Sequence, residues 1–222
     1  MMKVALPLLV APLALAACGS SHASSSQLGT QTPSQLRVQR ALDKTASAPS
    51  FRSEFTDKFD LAGRRGPDVT LRGDVEVDNR SHLVRIRFAP TIPHDTEQVS
   101  ISSETAEYTR FPGQGWLRVE TRNADSDLSD IVDHPEYVIS HLRVQRVTAL
   151  GEGHFRVWAE GLEPPLELWI ASTGYITQMH MIDKPSRVAT TYQTVKLSDF
   201  GRPVHLTIPA HLAPPPSWEG TD

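Results

Sequence analysis

From Phe51 onward, apolar and polar residues take turns along the chain. Phe51, Phe55 and Phe59 are separated by Arg52, Glu54 and Lys58, and Val69, Leu71, Gly73, Val75 and Val77 by Thr70, Arg72, Asp74 and Glu76. A period of two marks half-buried strands, because successive side chains of a strand point to opposite faces. Val84, Ile86 and Phe88 continue it against Arg85 and Arg87. Further short strands are predicted at residues 99–103, 107–111, 116–121, 143–150, 154–160, 166–171, 175–182, 187–197 and 204–208, with turns at 63–67, 78–81, 151–153 and 172–174. Ahead of the strands the period is helical. Thr32 is placed as N-cap, Pro33 at the first helical position and Gln35 reaching back, with Leu36, Ala41, Leu42 and Ala46 as the apolar stripe. Pro49 stops that helix, since the residue before a proline avoids helical angles. A second short helix is predicted over residues 135–142, where Val138, Ile139 and Leu142 are apolar, after an acidic, loop-like stretch from Asp125.

About eleven strands thus share two or three short helices, in a meander of antiparallel neighbours. Such a sheet is roughly 50 Å wide at about 4.8 Å per strand. Two helices, each about 10 Å across, cover less than half of one face. Alternating strands ask for one apolar face throughout, so the surplus must curl onto itself, pair with another molecule or enclose an apolar ligand. A packed β-sandwich or a filled barrel answers the same pattern equally well.

The start of the chain adds an address. Lys3 precedes an apolar run from Val4 to Leu15 that ends in Leu15-Ala16-Ala17-Cys18, and Cys18 is the single cysteine. A basic start, a short apolar core and small residues at the cut are the parts of an export signal, and the run is too short and proline-broken to span a bilayer. The thiol directly after the small residues resembles the lipobox of bacterial lipoproteins. That resemblance implies cleavage before Cys18 and a diacylglycerol thioether on its sulfur, anchoring the protein to the outer face of the cell membrane. With one thiol no internal disulfide is possible. Residues 19–31, rich in Ser, Gly, Thr and Gln, read as a flexible tether. The balance of 22 Lys and Arg against 26 Asp and Glu offers nothing to nucleic acid.

Later segments carry a second resemblance. Pro164-Pro165-Leu166-Glu167-Leu168-Trp169-Ile170, with Gly174-Tyr175-Ile176-Thr177-Gln178-Met179, is similar to a strand–turn–strand segment of the LppX/LprAFG family of actinobacterial lipoproteins. Lys196 to Val204, containing Asp199-Phe200-Gly201, and then Ile208-Pro209 resemble that family's closing segment. Gly174 suits a turn, Gly201 a sharp change of direction, and Pro209 the end of an edge strand. The order of lipobox, tether, opening helix, strands, helical break and strands matches over nearly the whole mature chain. The turn at Ala171-Ser172-Thr173 departs from the pattern, since the family commonly carries an acidic residue there.

The resemblance implies an α+β fold, a strongly curved, mostly antiparallel, half-barrel-like sheet with a few helices over its concave face, similar to lipoprotein-sorting carriers. It also implies a hydrophobic cavity for the acyl chains of a lipid or glycolipid, serving transport or assembly in the cell envelope. The expected organisation is a signal segment (1–17), a tether from the acylated cysteine (18–31), a carrier-like domain (32–212) and a proline-rich tail (213–222). Candidate lining positions are Leu71, Val75, Val77, Val84, Ile86, Phe88, Val99 and Ile101, although for any one of them ordinary core packing is the favoured role. An envelope transporter is a possible partner class, with no identity legible. The alternative is an anchored interaction or sensor protein without lipid cargo.

No catalytic pattern accompanies these features. The 9 histidines are scattered, with His134 and His141 seven apart, His205 and His211 six apart, and no H-E-x-x-H spacing. No Gly-x-Ser-x-Gly elbow, phosphate loop or dinucleotide fingerprint occurs. Asp125, Asp127, Asp130 and Asp133 lack the glycine and terminal Glu of a calcium loop and read as solvated. The expectation is a non-enzymatic protein with no cofactor and no metal, its Trp116, Trp158 and Trp169 serving as core or rim.

Overall fold

The computed structural model describes residues 31–61, 69–89, 98–103, 105–111, 113–119, 135–186 and 189–213. All but Gln31 belong to one compact unit, Thr32–Asp222. The signal segment, Cys18, the tether up to residue 30, the turn at 63–67, the acidic residues at 125–133, His134 and the tail from 214 lie outside the described residues.

Helix α1 (Pro33–Ala46) begins as its sequence requires. The Thr32 hydroxyl accepts the Gln35 N–H at 3.2 Å, and the Gln35 amide oxygen accepts the Thr32 N–H at 2.8 Å. Its buried stripe differs from the predicted one. Val38, Ala41, Leu42 and Thr45 face the core, while Leu36 is 39% exposed. Thr45 can be buried because its hydroxyl donates to the Ala41 carbonyl at 2.7 Å and accepts the Ile176 N–H at 3.0 Å, leaving neither group unsatisfied.

Eleven strands follow: β1 (Ser50–Leu61), β2 (Val69–Asp78), β3 (Leu83–Ala89), β4 (Gln98–Ser102), β5 (Glu107–Arg110), β6 (Trp116–Val119), then helix α2 (Pro135–His141), β7 (Val144–Gly151), β8 (His154–Ala159), β9 (Leu166–Ile170), β10 (Ile176–Ser186) and β11 (Ala189–Ser198). They form a single sheet in the order β6-β5-β4-β3-β2-β1-β11-β10-β9-β8-β7. Every neighbouring pair is antiparallel. The first and last strands meet in the middle, so two meanders share one central seam, and β6 and β7 are the edges.

Residues opposite one another in an antiparallel pair lie on one face, so the register traces each face across the whole sheet. One face carries Phe51, Phe55, Val75, Val77, Ile86, Val195, Leu197, Met179, Leu168, Leu166, Phe155 and Val157, packed with Val38, Ala41 and Leu42 of α1 and Val138 and Ile139 of α2. This is the helix face. Gln35 extends its cover to the sheet edge by donating to the Gln145 carbonyl on β7 at 3.0 Å.

The apolar side does not stay on that face. From β3 to β4 the register sets Val99 opposite Arg87 and Ile101 opposite Arg85, whereas Ser100 and Ser102 stand opposite Ile86 and Val84. On β4 to β6 the buried apolar residues therefore point to the far face. There Leu83, Ile101, Ala106 and Tyr108 pack with Val204 and Leu206, and Trp116 lies against them. The single apolar face expected from alternation is thus corrected to two, the helix face over β7–β11 and β1–β3 and the far face over β4–β6.

The covering segment comes from the end of the chain. After β11 the backbone turns at Asp199-Phe200-Gly201, where Gly201 adopts φ +72° and donates to the Ser50 carbonyl at 2.8 Å. Phe200 stacks on Tyr175, with ring centroids 4.3 Å apart. Residues 204–208 then cross the far face without pairing as a strand, contrary to the sequence expectation, and Pro209 ends no strand. Leu212 bridges Trp116, and the Ala213 N–H donates to the Trp116 carbonyl at 2.7 Å, capping the β6 edge.

Among the described glycines, Gly73 has the least room for a side chain. A Cβ there would overlap the Arg87 carbonyl oxygen and come within 2.5 Å of the Phe55 ring. The bare backbone lets Phe55 meet Phe88 edge-on at 5.6 Å. Gly73→Ala is therefore expected to lower stability by about 1–3 kcal/mol through overpacking. Gly151→Ala, which meets nothing within 4 Å, should shift it by less than about 0.5 kcal/mol. Urea unfolding of the two variants checks the contrast.

Candidate functional site

Helices α1 and α2 fill the helix face over the β7–β11 half, the start of β1 and the end of β2. Beyond their reach the same face continues across β1, β2, β3 and β6 with apolar side chains that are not fully buried. Phe59 and Val69 stand opposite one another, and Phe88 stands opposite Gly73 and so next to Phe55 across the row. Leu71, Val84, Phe88 and Leu117 are half-buried, Val69 is 38% exposed and Val119 49% exposed. Small and polar residues lie between them, notably Ser100, Thr109 and Glu107. This is an apolar strip beside a filled core that neither helix covers among the described residues, with Val69 and Val119 exposed.

The structure divides the eight lining candidates into three groups. Val75, Val77 and Ile86 are in the core against the helix-covered residues, so packing is their observed role. Val84 and Phe88 pack against that core while staying half-buried, and Leu71 lies on the same face in the open strip. Val99 and Ile101 are on the opposite face, Ile101 beneath the closing segment. A one-residue change of phase between strands moves every side chain across the sheet, so these two share no surface with the other six.

Sequence reading passed over a polar row on the helix face. Asp57 stands opposite Gln193 and next to Leu71, with Thr191 following on β11, and all three polar residues are buried. The side-chain oxygen of Gln193 and the hydroxyl of buried Ser53 have no hydrogen-bond partner among the described residues. The available signal was their position. Ser53 and Asp57 occupy the inward phase of the Phe51–Phe55–Phe59 alternation, where a polar residue is costly unless something satisfies it.

The far face over β1 to β3 and β8 to β9 is knitted by charge. Glu76 takes Arg52 at 3.0 Å and Arg85 on its two oxygens, and Asp74 takes Arg87 at 2.8 Å. Glu167 accepts from Arg156 at 2.7 Å and faces His154 at 3.0 Å. The hydrogen bond from Arg156 holds the Glu167 carboxyl below its ordinary range, helped by the His154 contact and opposed by burial. Trp169 stacks on His154 and Trp158 lies under Arg146, so these two indoles belong to the far-face rim, while Trp116 flanks the smaller core. Among the described residues no three of His, Cys, Asp and Glu gather as metal ligands, and no helix is long and apolar enough to cross a membrane.

Accessibility can be read by thiol chemistry in a Cys18→Ala background. A cysteine replacing Val119 or Leu71 should react with a maleimide in the native state. One replacing Val75, which is 0% exposed, should react only through opening of the core. Equal rates at Leu71 and Val75 would contradict the open strip.

No protein-family profile matches the chain, and no curated protein matches its sequence. Solved structures similar to it include a LolA superfamily protein from Nitrosomonas europaea, at 9% identity and TM-score 0.40, covering 79% of this chain and 96% of that one. A DUF1329 family protein from Desulfovibrio piger matches at 10% identity and TM-score 0.37, covering 80% and 96%. A domain described as an outer membrane lipoprotein-sorting protein, from Vibrio parahaemolyticus, matches at 8% identity and TM-score 0.39, covering 77% and 93%.

Proposed function

We propose that this chain is a lipid-binding carrier of the cell envelope, exported and anchored through an acylated Cys18, that holds the acyl chains of a lipid or glycolipid against the open part of its helix face. The observation that carries the reading is the strip itself. Phe59, Val69, Leu71, Phe88 and Leu117 continue the apolar helix face beyond the cover that α1 and α2 supply. Each methylene that leaves water for such a surface contributes roughly 0.8 kcal/mol, so binding alone supplies the function and no covalent step is needed. Curvature of the sheet toward the helices, in the half-barrel manner of the family it resembles, would turn the strip into the wall of a cavity. Buried Asp57 and Gln193 beside Leu71 would meet the polar end of the cargo. An anchor at Cys18 would keep this surface next to the lipids it takes.

A second reading, an anchored interaction protein, is favoured by the filled core beneath the helices together with the exposure of Val69 and Val119. Native mass spectrometry of protein purified from a bacterial envelope separates the two. The carrier reading predicts co-purifying lipid whose occupancy falls several-fold in Phe88→Asp and stays unchanged in Leu36→Asp on the exposed side of α1. Absence of lipid from the wild-type protein, with a partner protein retained instead, would establish the second reading and overturn the first.

A further inference from the structure

On the far face, opposite the open strip, a depression of about 390 Å³ lies over the central seam of the sheet. The register builds it in rows. Thr56 on β1 stands opposite Thr194 on β11, which stands opposite His180 on β10. One step along, Lys58 stands opposite Tyr192, and Asp60 follows on β1. Alternate residues of a strand are about 7 Å apart and neighbouring strands about 4.8 Å apart. The floor is therefore of the order of one or two sugar rings, and the volume falls within the range of small-molecule sites.

Two charge clusters of the far face are engaged internally, Arg52–Glu76–Arg85 and Arg156–Glu167–His154, whereas Arg72, opposite Thr56, and Glu54 and Lys196, opposite one another, make no ion pair among the described residues. In the depression no side chain of Thr56, Lys58, Asp60, His180, Tyr192 or Thr194 makes a hydrogen bond or ion pair with another residue, among the described residues. Six polar groups converge on one concavity with their hydrogen-bonding capacity unspent.

Their chemistry selects a ligand. Lys58 and Asp60 balance in charge within the lining, and Arg72, opposite Thr56, adds one cation beside it. Three hydroxyls, an imidazole, an ammonium and a carboxylate offer donors and acceptors in mixture. Tyr192, 38% exposed, adds an aromatic surface with a polar tip. A ring bearing several hydroxyls and apolar C–H edges answers all of these at once. We propose that this depression is a binding site for a neutral saccharide, either free or as the headgroup of a glycolipid in a neighbouring membrane. It lies across the sheet from the apolar strip and stands or falls independently of the lipid-carrier reading.

Saturation-transfer NMR on the full chain, with the methyl glycosides of glucose, mannose and galactose as probes, tests the proposal. At least one glycoside should bind saturably, and Tyr192→Ala should weaken it tenfold or more. Thr56→Val, which removes one hydroxyl at nearly constant volume, should weaken it several-fold, and Leu36→Asp on the exposed side of α1 should leave it unchanged. A second arm uses phosphatidylcholine vesicles with and without diglucosyldiacylglycerol. Binding to glycosides identifies a free sugar as sufficient, and binding only to the glycolipid vesicles identifies the headgroup as the source. Failure in both arms, or equal affinity in wild type, Tyr192→Ala and Thr56→Val, would overturn the site, as would saturable binding of inorganic phosphate with no sugar bound.

Discussion

A sheet of eleven strands has two broad faces, and every apolar side chain on them needs a cover. This chain has few elements with which to supply one. Among the described residues, helices α1 and α2 pack on one face, and the chain end after β11 crosses the other. The rest of the structure follows from how this limited cover is shared. The buried side changes between β3 and β4, so that the helices serve the β7–β11 half together with β1 and β2, and Val204 and Leu206 serve β4 to β6. Joining β1 to β11 at the centre places the point where the chain leaves its last strand beside the point where it enters its first. The Gly201–Ser50 hydrogen bond and the Phe200–Tyr175 stack fix that junction, from which the covering segment departs.

Much of this was legible in the sequence because the signals were local. The capping residues Thr32, Pro33 and Gln35 fixed the start of α1, and alternation located eleven strands and the turns between them. What alternation cannot express is phase between strands. It states that Val99 and Ile101 share a face, and that Val84, Ile86 and Phe88 share one, without stating whether the faces are the same. That relation depends on strand register, which placed the two sets on opposite sides. The same limit hid the true stripe of α1. Thr45 counts as polar until its hydroxyl finds both Ala41 and Ile176, partners brought together by the fold. Residues 204–208 read as a strand because they alternate, yet their outward positions face solvent while Val204 and Leu206 cover a core. Alternation reports one-sided burial, which an unpaired extended segment satisfies as well as a strand does.

The two faces also differ in the chemistry they present. On the helix face an apolar strip remains half-covered, with buried Asp57 and Gln193 beside it, a combination that suits a molecule with an oily body and a polar end. The far face carries ion-paired clusters and, at the seam, polar side chains that make no hydrogen bond or ion pair among the described residues. Both arrangements are surfaces for binding under the proposal of a binding protein held at a membrane.

Under the carrier proposal the open strip of the helix face, rather than the far face, receives acyl chains. Photo-crosslinking with a diazirine-bearing fatty acid, followed by peptide mapping, distinguishes the two faces. Adducts should form on the β1–β3 and β6 peptides at Phe59, Val69, Leu71, Phe88 and Leu117 and be competed away by unlabelled lipid. Adducts concentrated at Val99, Ile101, Val204 or Leu206, or no competable labelling of the strip, would contradict the proposal.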